Sequence, residues 1–137
     1  MCGIAGYFGP GRMNESRILA ALAHRGPDGN GVWEEAISSD ARVSLGHTRL
    51  SILDRSMASA QPMGWTPEDA LREELVLVYN GEIYNYEALR HELMGLGRTF
   101  RSTGDTEVVL QAYAAWGDEA FARLDGMFAL ALFDRKR

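Results

Sequence analysis

The sequence predicts a mixed α and β domain, and three observations lead to that class. Helix-like and strand-like stretches alternate along 137 residues, a length that suits one domain with a real hydrophobic core. The 15 glycines are spread along the chain and indicate many tight turns. Hydrophobic residues make up 46% of the chain and charged residues 24%, which is close to the globular average and disfavours intrinsic disorder.

Composition and charge disfavour several other classes of protein. The net charge of −5 argues against a general nucleic-acid binder, because neutralising phosphates needs clustered Lys and Arg. No apolar run approaches the roughly 20 residues that cross a bilayer, and the N-terminus lacks the features of a secretory signal. We therefore expect a cytoplasmic protein with neither a membrane nor a nucleic acid as partner.

Metal and phosphate sites are not expected in this chain. A single cysteine cannot form an internal disulfide or build a Cys-rich zinc site. His24, His47 and His91 lack metal-ligand spacing, and there is no GxxxxGK[ST] loop for ATP.

In the first half of the chain, hydrophobic periodicity predicts strands and one helix. A strand is expected over residues 2–8. Asn14 is a candidate N-cap for an amphipathic helix, which should end before Gly26-Pro27 because proline restricts the residue that precedes it. Alternating residues predict a half-buried strand over 42–47, followed by a short extended segment over 49–53.

The second half is expected to begin with a polar surface excursion over 64–74 and then a strand over 75–79 that is covered on both faces. Asn85 precedes a helix that has leucines at helical spacing and ends at Gly97. The remaining expected segments are a strand over 99–102, a helix over 106–116 whose layer continues to Phe121 and Leu124, and a central strand over 127–133. Because the chain stops soon after this last strand, we expect the domain to be incomplete at its C-terminal end.

Cys2 is the clearest candidate for chemistry. Removal of Met1 would place its thiol and a free α-amine on one residue. An α-amine has an ordinary pKa of about 7.7–8.0, so it can accept the proton of the thiol near neutral pH, directly or through one water. The competing interpretation is an ordinary small apolar side chain near a terminus.

Asn80-Gly81 directly follows the LVLVY run, and two interpretations stay open. Asn-Gly favours a hairpin turn, which is the interpretation that the pattern alone supports modestly. Alternatively, the Asn80 side-chain amide and the Gly81 backbone N–H could donate to one developing negative charge, as in an oxyanion hole.

Two charged residues have a structural and a functional interpretation. Asp105 precedes a helix and is most simply an N-terminal cap, but it could also hold the ammonium group of a small amino acid. Arg49 is most simply a solvated strand residue, but its planar guanidinium also suits a ligand carboxylate. The HRGPDG segment at 24–29 is most simply a turn-rich loop.

Five motifs taken together resemble one family. MCGIAGYFG at the N-terminus, HRGPDG, GHTRLSI, NGEIYNY and GDTEVVL look like the glutaminase domain of class II glutamine amidotransferases. Within that class, Pro27-Asp28 and the LSI run at 50–52 look like the glutamine-hydrolysing asparagine synthetases. The motifs follow one another from Cys2 to about Phe133 and so cover nearly the whole chain.

The resemblance implies an α+β N-terminal-nucleophile hydrolase fold, which is a four-layer αββα sandwich of two antiparallel sheets. It implies that Cys2 attacks the side-chain amide of glutamine, with its own α-amine as proton acceptor, and that Asn80 and Gly81 form the oxyanion hole. Arg49 would bind the α-carboxylate of glutamine and Asp105 its α-ammonium. The same pocket would be lined by Leu50, Ile52, Leu53, Asn80, Gly81, Glu82 and Gly104.

The resemblance also implies what is absent. Residues 1–137 would be the glutaminase domain alone, with glutamine as substrate and no cofactor or metal of its own. A C-terminal synthetase domain, not present in this chain, would use ATP and Mg²⁺ to activate aspartate. A homo-oligomer is compatible with the sequence.

Other functions stay open at this point. The ammonia could serve another carboxylate in a peptide or polysaccharide pathway, or the domain could be a non-catalytic module that keeps the fold. A cysteine–histidine peptidase is a more remote alternative. If Met1 is retained, the amine is blocked as an amide and no activity is expected.

Overall fold

The structure, a computed structural model, describes residues 2–51 and 56–137. Across these two ranges the chain forms six strands, three α-helices and two short 3₁₀ helices. The strands are β1 (Gly3–Gly9), β2 (Gly29–Ala36), β3 (Arg42–Arg49), β4 (Met63–Trp65), β5 (Leu75–Ile83) and β6 (Gly126–Asp134). The helices are α1 (Glu15–Leu22), α2 (Tyr86–Gly95) and α3 (Asp105–Trp116), with 3₁₀ helices at Met57–Ser59 and Gly117–Arg123.

The first sheet is antiparallel and has the strand order β1-β3-β2. Its central strand β3 places Thr48 on the outer face, where the hydroxyl donates to the carbonyl oxygen of Leu22 at 3.0 Å and joins helix α1 to the sheet. That helix begins as the sequence predicted, because the side chain of Asn14 accepts a hydrogen bond from the backbone N–H of Arg17 at 3.1 Å. Helix α1 therefore forms an outer layer on this sheet.

The second sheet is also antiparallel and has the order β4-β5-β6. The predicted buried strand lies at its centre, since all five residues from Leu75 to Tyr79 are buried. One face of β5 packs against helices α2 and α3. Burying each such aliphatic side chain stabilises the fold by roughly 1.5–3 kcal/mol. This core cluster consists of Met63, Leu75, Leu77, Tyr79, Ile83, Leu89, Leu93, Val108, Val109, Leu110, Ala112, Tyr113 and Ala120.

The two sheets stack face to face through a second, smaller cluster. Its buried members are Leu45 from β3 and Val76 and Val78 from β5. Partly buried side chains from the neighbouring strands, Ile4, Trp33, Ala131 and Phe133, extend this layer. The order of layers is therefore α1, first sheet, second sheet, α2 with α3, which is the four-layer arrangement that the motif resemblance implied.

Several predicted elements differ from the observed ones. Strand β2 was not predicted, and β4 occupies the start of the segment expected to be a surface excursion. Residues 99–102 form no strand, because the backbone N–H groups of Arg101 and Ser102 donate to the carboxylate of Glu107 instead of to a neighbouring strand. Strand β6 was expected to be central, but it lies at an edge of the described sheet, where Met127 is 73% exposed.

Helix α2 follows Asn85, as predicted, and ends at Gly95, one residue before the last leucine of the predicted pattern; Leu96 is the C-cap and is exposed. Gly97 follows with a φ of 83°, a left-handed conformation that glycine adopts without strain. Among the described residues, no helix has the length and apolar character needed to cross a bilayer.

Candidate active site

A cavity of about 230 Å³ lies where the start of β1, the end of β3, the second half of β5 and the start of α3 meet. Eight of the ten predicted site residues line it: Cys2, Arg49, Leu50, Asn80, Gly81, Glu82, Gly104 and Asp105. The other two, Ile52 and Leu53, lie outside the described residues. Cys2 and Asp105, which are 103 positions apart in the sequence, are thus brought to one site.

Cys2 lies at the start of β1, beside the end of β3. The backbone N–H of Leu50 donates to its Sγ at 3.3 Å, and the carbonyl oxygen of Leu50 lies 3.7 Å from the same sulfur. The carbonyl oxygen of Cys2 accepts a hydrogen bond from Nε of Arg25 at 3.0 Å. Its thiol is free and partly buried, so Leu50 positions the sulfur and Arg25 holds the backbone of the same residue at the cavity wall.

The HRGPDG segment is a loop, as predicted, and it also braces the end of β3. Asp28 has two contacts there: its backbone N–H donates to the carbonyl oxygen of Arg49 at 2.9 Å, and its Oδ2 accepts from the backbone N–H of Ser51 at 2.7 Å. A Cβ atom at Gly26 would overlap the backbone of Thr48 and Arg49, so this close approach requires glycine. The loop therefore fixes the backbone that carries Arg49.

Arg49 is the last residue of β3 and is not the solvated strand residue that its sequence context alone suggested. Its Nη2 donates to the carbonyl oxygen of Ser56 at 2.9 Å and to the hydroxyl of Ser59. Both serines belong to the turn around the Met57–Ser59 3₁₀ helix. The guanidinium is thereby oriented at the cavity wall, and a bidentate arginine is well suited to bind a carboxylate.

Asn80 and Gly81 lie within β5, so the hairpin-turn interpretation is wrong. They pair with Ala129 and Phe128 of β6. A Cβ atom at Gly81 would overlap the carbonyl oxygen of Met127 and the backbone of Phe128, so only glycine fits here. The strand carries both residues past the cavity instead of turning at them.

Asp105 is the first residue of α3, yet it does not cap that helix. The N-cap is Gly104, and no side chain forms a capping hydrogen bond there. Instead, Oδ2 of Asp105 accepts from the hydroxyl of Tyr79 at 2.7 Å and from the backbone N–H of Ile83 at 3.1 Å. The capping interpretation is therefore wrong, and a buried carboxylate lies at the cavity wall.

Two residues that support the site were missed in the sequence. Oε1 of Gln61 accepts from the backbone N–H of Tyr79 at 2.6 Å, and its Nε2 donates to the hydroxyl of Thr106 at 3.3 Å. Gln61 therefore links β5 to the first turn of α3. Burial, followed by the hydrogen bond to Asp105, raises the pKa of Tyr79 well above its ordinary value, so its hydroxyl remains a donor. The LVLVY pattern indicated core packing and gave no signal for this hydrogen bond.

His47 is a third missed residue. It is 1% exposed and lines the cavity, and within the described part of the chain neither ring nitrogen has a hydrogen-bond partner. Burial, together with the positive charge of Arg49, lowers the pKa of His47 from 6.5 to about 4. The ring is therefore neutral at physiological pH, with one donor and one acceptor nitrogen.

The chemical capacity of the site follows from these groups. It contains a thiol, a fixed cation, a fixed anion and the amide of Asn80 around one small cavity. A zwitterionic amino acid presents a carboxylate and an ammonium group on the same carbon, so Arg49 and Asp105 match its two charges. No group of three His, Cys, Asp or Glu side chains within residues 2–51 and 56–137 could hold a metal ion.

Comparisons with known proteins agree with this arrangement. A family model described as "Glutamine amidotransferase domain" matches residues 1–137. The putative asparagine synthetase [glutamine-hydrolyzing] of Mycobacterium tuberculosis is 42% identical over 98% of this chain and 22% of that protein. Asparagine synthetase [glutamine-hydrolyzing] 3 of Bacillus subtilis is 37% identical, and asparagine synthetase B [glutamine-hydrolyzing] of Escherichia coli is 38% identical. These two alignments cover all of this chain but 22% and 24% of those proteins, so the chain spans about a quarter of its relatives or less.

Solved structures show the same fold. Glutamine phosphoribosylpyrophosphate amidotransferase from B. subtilis, complexed with ADP and GMP, superposes with a TM-score of 0.72 at 20% identity, over 96% of this chain and 35% of that one. A structure described as the allosteric regulatory enzyme of purine biosynthesis gives 0.69 at 20% identity, over 96% of this chain and 36% of that one. The N-terminal-nucleophile fold implied by the motifs is thus confirmed. The chain belongs to the glutamine amidotransferase domain family.

Proposed function

We propose that this chain hydrolyses the side-chain amide of glutamine to glutamate and ammonia, and that the ammonia is used to make asparagine from aspartate. The observation that carries the first part is the convergence of Cys2, Arg49 and Asp105 on one cavity. The names of the curated relatives support the second part.

Substrate binding in this proposal depends on two opposite charges. Arg49 binds the α-carboxylate of glutamine through its guanidinium, which the serines beside it already orient. Asp105 binds the α-ammonium, and its Oδ2 is held by Tyr79 and Ile83. Because both charged groups are oriented before substrate arrives, little side-chain entropy is lost on binding.

The first chemical step transfers the acyl group to sulfur. The α-amine of Cys2, free once Met1 is removed, takes the proton of the thiol, and Sγ attacks the amide carbon. The Asn80 amide and the Gly81 N–H donate to the oxyanion, and the loss of one such donor costs about 10²–10³ in rate. The proton then passes to the departing ammonia, and a thioester remains.

The second step hydrolyses that thioester. A water molecule gives a proton to the same amine, its oxygen attacks the carbonyl carbon, and the carbon–sulfur bond breaks to release glutamate. This half-reaction needs no cofactor, and we assign ATP and Mg²⁺ to a synthetase domain that carries out the acceptor reaction elsewhere.

The glutaminase step is tested by measuring glutamate release from glutamine by the processed chain, after intact-mass analysis has established that Met1 is absent. Cys2→Ala should abolish release, and the same chain with Met1 retained serves as the matched control for a blocked amine. Release at the full rate by either protein would contradict the mechanism.

The acceptor is tested separately, because this domain would contact only glutamine. The full-length protein is given glutamine, ATP, Mg²⁺ and aspartate, and the products are identified by mass spectrometry. Formation of asparagine supports the proposed acceptor. Glutaminase activity without asparagine would favour another carboxylate as the acceptor.

A further inference from the structure

His47 is a buried polar group in the cavity for which the mechanism above has no use. Its side chain is 1% exposed, and neither ring nitrogen meets a donor or acceptor of the described residues. A buried polar group without a hydrogen-bond partner destabilises the folded chain by about 1–3 kcal/mol. A bound molecule that forms hydrogen bonds with His47 would remove this cost.

The strand register places this ring beside the nucleophile. His47 is opposite Ile4 of β1, and Thr48 is opposite Gly3, so Cys2 comes next along β1 near Arg49. Cys2 and Ile4 point to the same face of the sheet as His47, because side chains alternate along a strand. Such diagonal neighbours lie about 7–8 Å apart, with their Cβ atoms somewhat closer. A water molecule beside the Cys2 sulfur is therefore within hydrogen-bond reach of the His47 ring, which extends from its Cβ into the same space.

The cavity has room for this water. At about 230 Å³, the cavity is several times the size of one water molecule, which takes up about 30 Å³ in the liquid. Ordered buried waters typically bridge polar groups that the protein leaves unpaired. His47 lines the cavity and, two residues before Arg49, lies on the same face of β3, so its ring, unpaired among the described residues, is available to such a water.

We propose that His47 is a positioning residue that binds and orients the water molecule which hydrolyses the Cys2 thioester. The inference rests on the proposed function and refines its second step. One ring nitrogen of His47 accepts a hydrogen bond from the water, which turns a lone pair of the water oxygen toward the thioester carbon. The other water proton passes to the α-amine of Cys2, the new carbon–oxygen bond forms, and the thiolate leaves and is reprotonated by that amine.

His47 orients the water but does not remove its proton. A general base works best when its pKa lies near the operating pH, and the pKa of His47 lies near 4. A neutral ring is nevertheless an effective hydrogen-bond acceptor. The proposal therefore concerns deacylation alone: acylation, in which no water attacks, should not depend on His47.

The test compares water with hydroxylamine, a stronger nucleophile whose attack on the thioester depends less on being oriented by the protein. Hydroxylamine converts the thioester to γ-glutamyl hydroxamate, whereas water gives glutamate, so the ratio of the two products reports how well water competes. We expect His47→Leu to raise the ratio of hydroxamate to glutamate by about tenfold, the effect of losing one orienting contact. His47→Gln, which keeps a donor and an acceptor, should restore part of the hydrolysis.

Leu45→Val is the matched control, because Leu45 lies two residues away on the same face of β3 but packs between the sheets against Val76 and Val78. The product ratio does not depend on how much protein is folded, so partial loss of stability leaves it interpretable. A ratio that is the same in His47→Leu as in the unaltered chain, or one that rises equally in Leu45→Val, would overturn the inference. If the unaltered, processed chain forms neither product, the proposed function itself is wrong.

Discussion

The hydroxyl of Tyr79 donates a 2.7 Å hydrogen bond to Oδ2 of Asp105 and so joins the centre of β5 to the first turn of α3. The same carboxylate oxygen accepts from the backbone N–H of Ile83, four residues further along β5. One strand therefore fixes the anion of the site at two points. In the proposed function this holds Asp105 where the ammonium group of the substrate would bind.

Removing this hydroxyl should weaken substrate binding more than catalysis. A hydrogen bond to a charged group contributes about 1.5–3 kcal/mol, so Tyr79→Phe should raise KM for glutamine by about tenfold and change kcat little. Steady-state glutaminase kinetics check this. Tyr113→Phe is the matched control. The Tyr113 hydroxyl also donates to a carboxylate, that of Asp134 at 3.1 Å, but this pair does not line the cavity. An unchanged KM in Tyr79→Phe would refute the role of this contact.

A side chain at Gly81 should damage the fold and the site together. The added Cβ in Gly81→Ala overlaps backbone atoms of β6, and overpacking of this kind costs about 1–3 kcal/mol. Gly95→Ala offers the opposite expectation, since nothing lies within 4 Å of a Cβ there and the residue ends helix α2. It should stabilise the chain by about 0.5–1 kcal/mol. Urea unfolding measures the change in the free energy of unfolding for both variants. Equal changes would contradict the close packing of Gly81 against β6.

The contact between Arg25 and the carbonyl of Cys2 should affect turnover. Arg25→Gln removes the 3.0 Å hydrogen bond that holds the backbone of the nucleophile. A misplacement of about 1 Å can cost up to about 10² in rate, so we expect kcat to fall by at least about tenfold while the chain stays folded. The exposed Arg17→Gln variant is the control. Circular dichroism and single-turnover acylation separate loss of folding from loss of rate.

Burial of His47 predicts a stability that depends on pH. The pKa of His47 in the folded chain, about 4, lies below its ordinary value of 6.5, so the unfolded chain binds more protons between these values. Above about pH 6.5 this histidine does not lower the free energy of unfolding. As the pH drops toward 4, the free energy of unfolding falls by about 3 kcal/mol, at 1.36 kcal/mol per pKa unit. Urea unfolding at pH 4.5 and 7 should show a smaller difference for His47→Gln than for the unaltered chain, with the exposed His91→Gln as control.

The sequence predicted most of the elements because their signals are local. Asn14 does cap α1, and the LVLVY run does form the buried centre of a sheet. Strand β2 was missed because glycines at 29 and 31 and two glutamates at 34 and 35 obscure its alternation. Glu35 has a partner distant in sequence, because Arg135 forms a hydrogen-bonded ion pair with it and lowers the pKa of that carboxyl. Glu34 pairs with Arg42 of the adjacent strand β3.

The site was predicted through the combination of motifs and not through any single residue. For Asp105 and Asn80-Gly81, local patterns favoured a cap and a turn, and both interpretations were wrong because tertiary contacts determine these conformations. Tyr79, Gln61 and His47 had no signal in the sequence, since each resembles an ordinary core or loop residue until the two sheets are stacked.

The stacking of the two sheets has a consequence for selectivity. Arg49 ends β3 of the first sheet, whereas Asp105 is held by Tyr79 and Ile83 of β5 in the second sheet, so the way the two sheets stack determines where the charged pair lies relative to Cys2. Facing sheets are about 10 Å apart, and one methylene changes a side chain by little more than 1 Å. In the proposed function Arg49 and Asp105 hold the α-carbon, so a side chain one carbon shorter or longer would place its amide about 1 Å or more from the position beside Cys2 Sγ. Discrimination by side-chain length would thus depend on the distance from the charged pair to the sulfur, which the packing of the sheets sets at a place the ligand never touches.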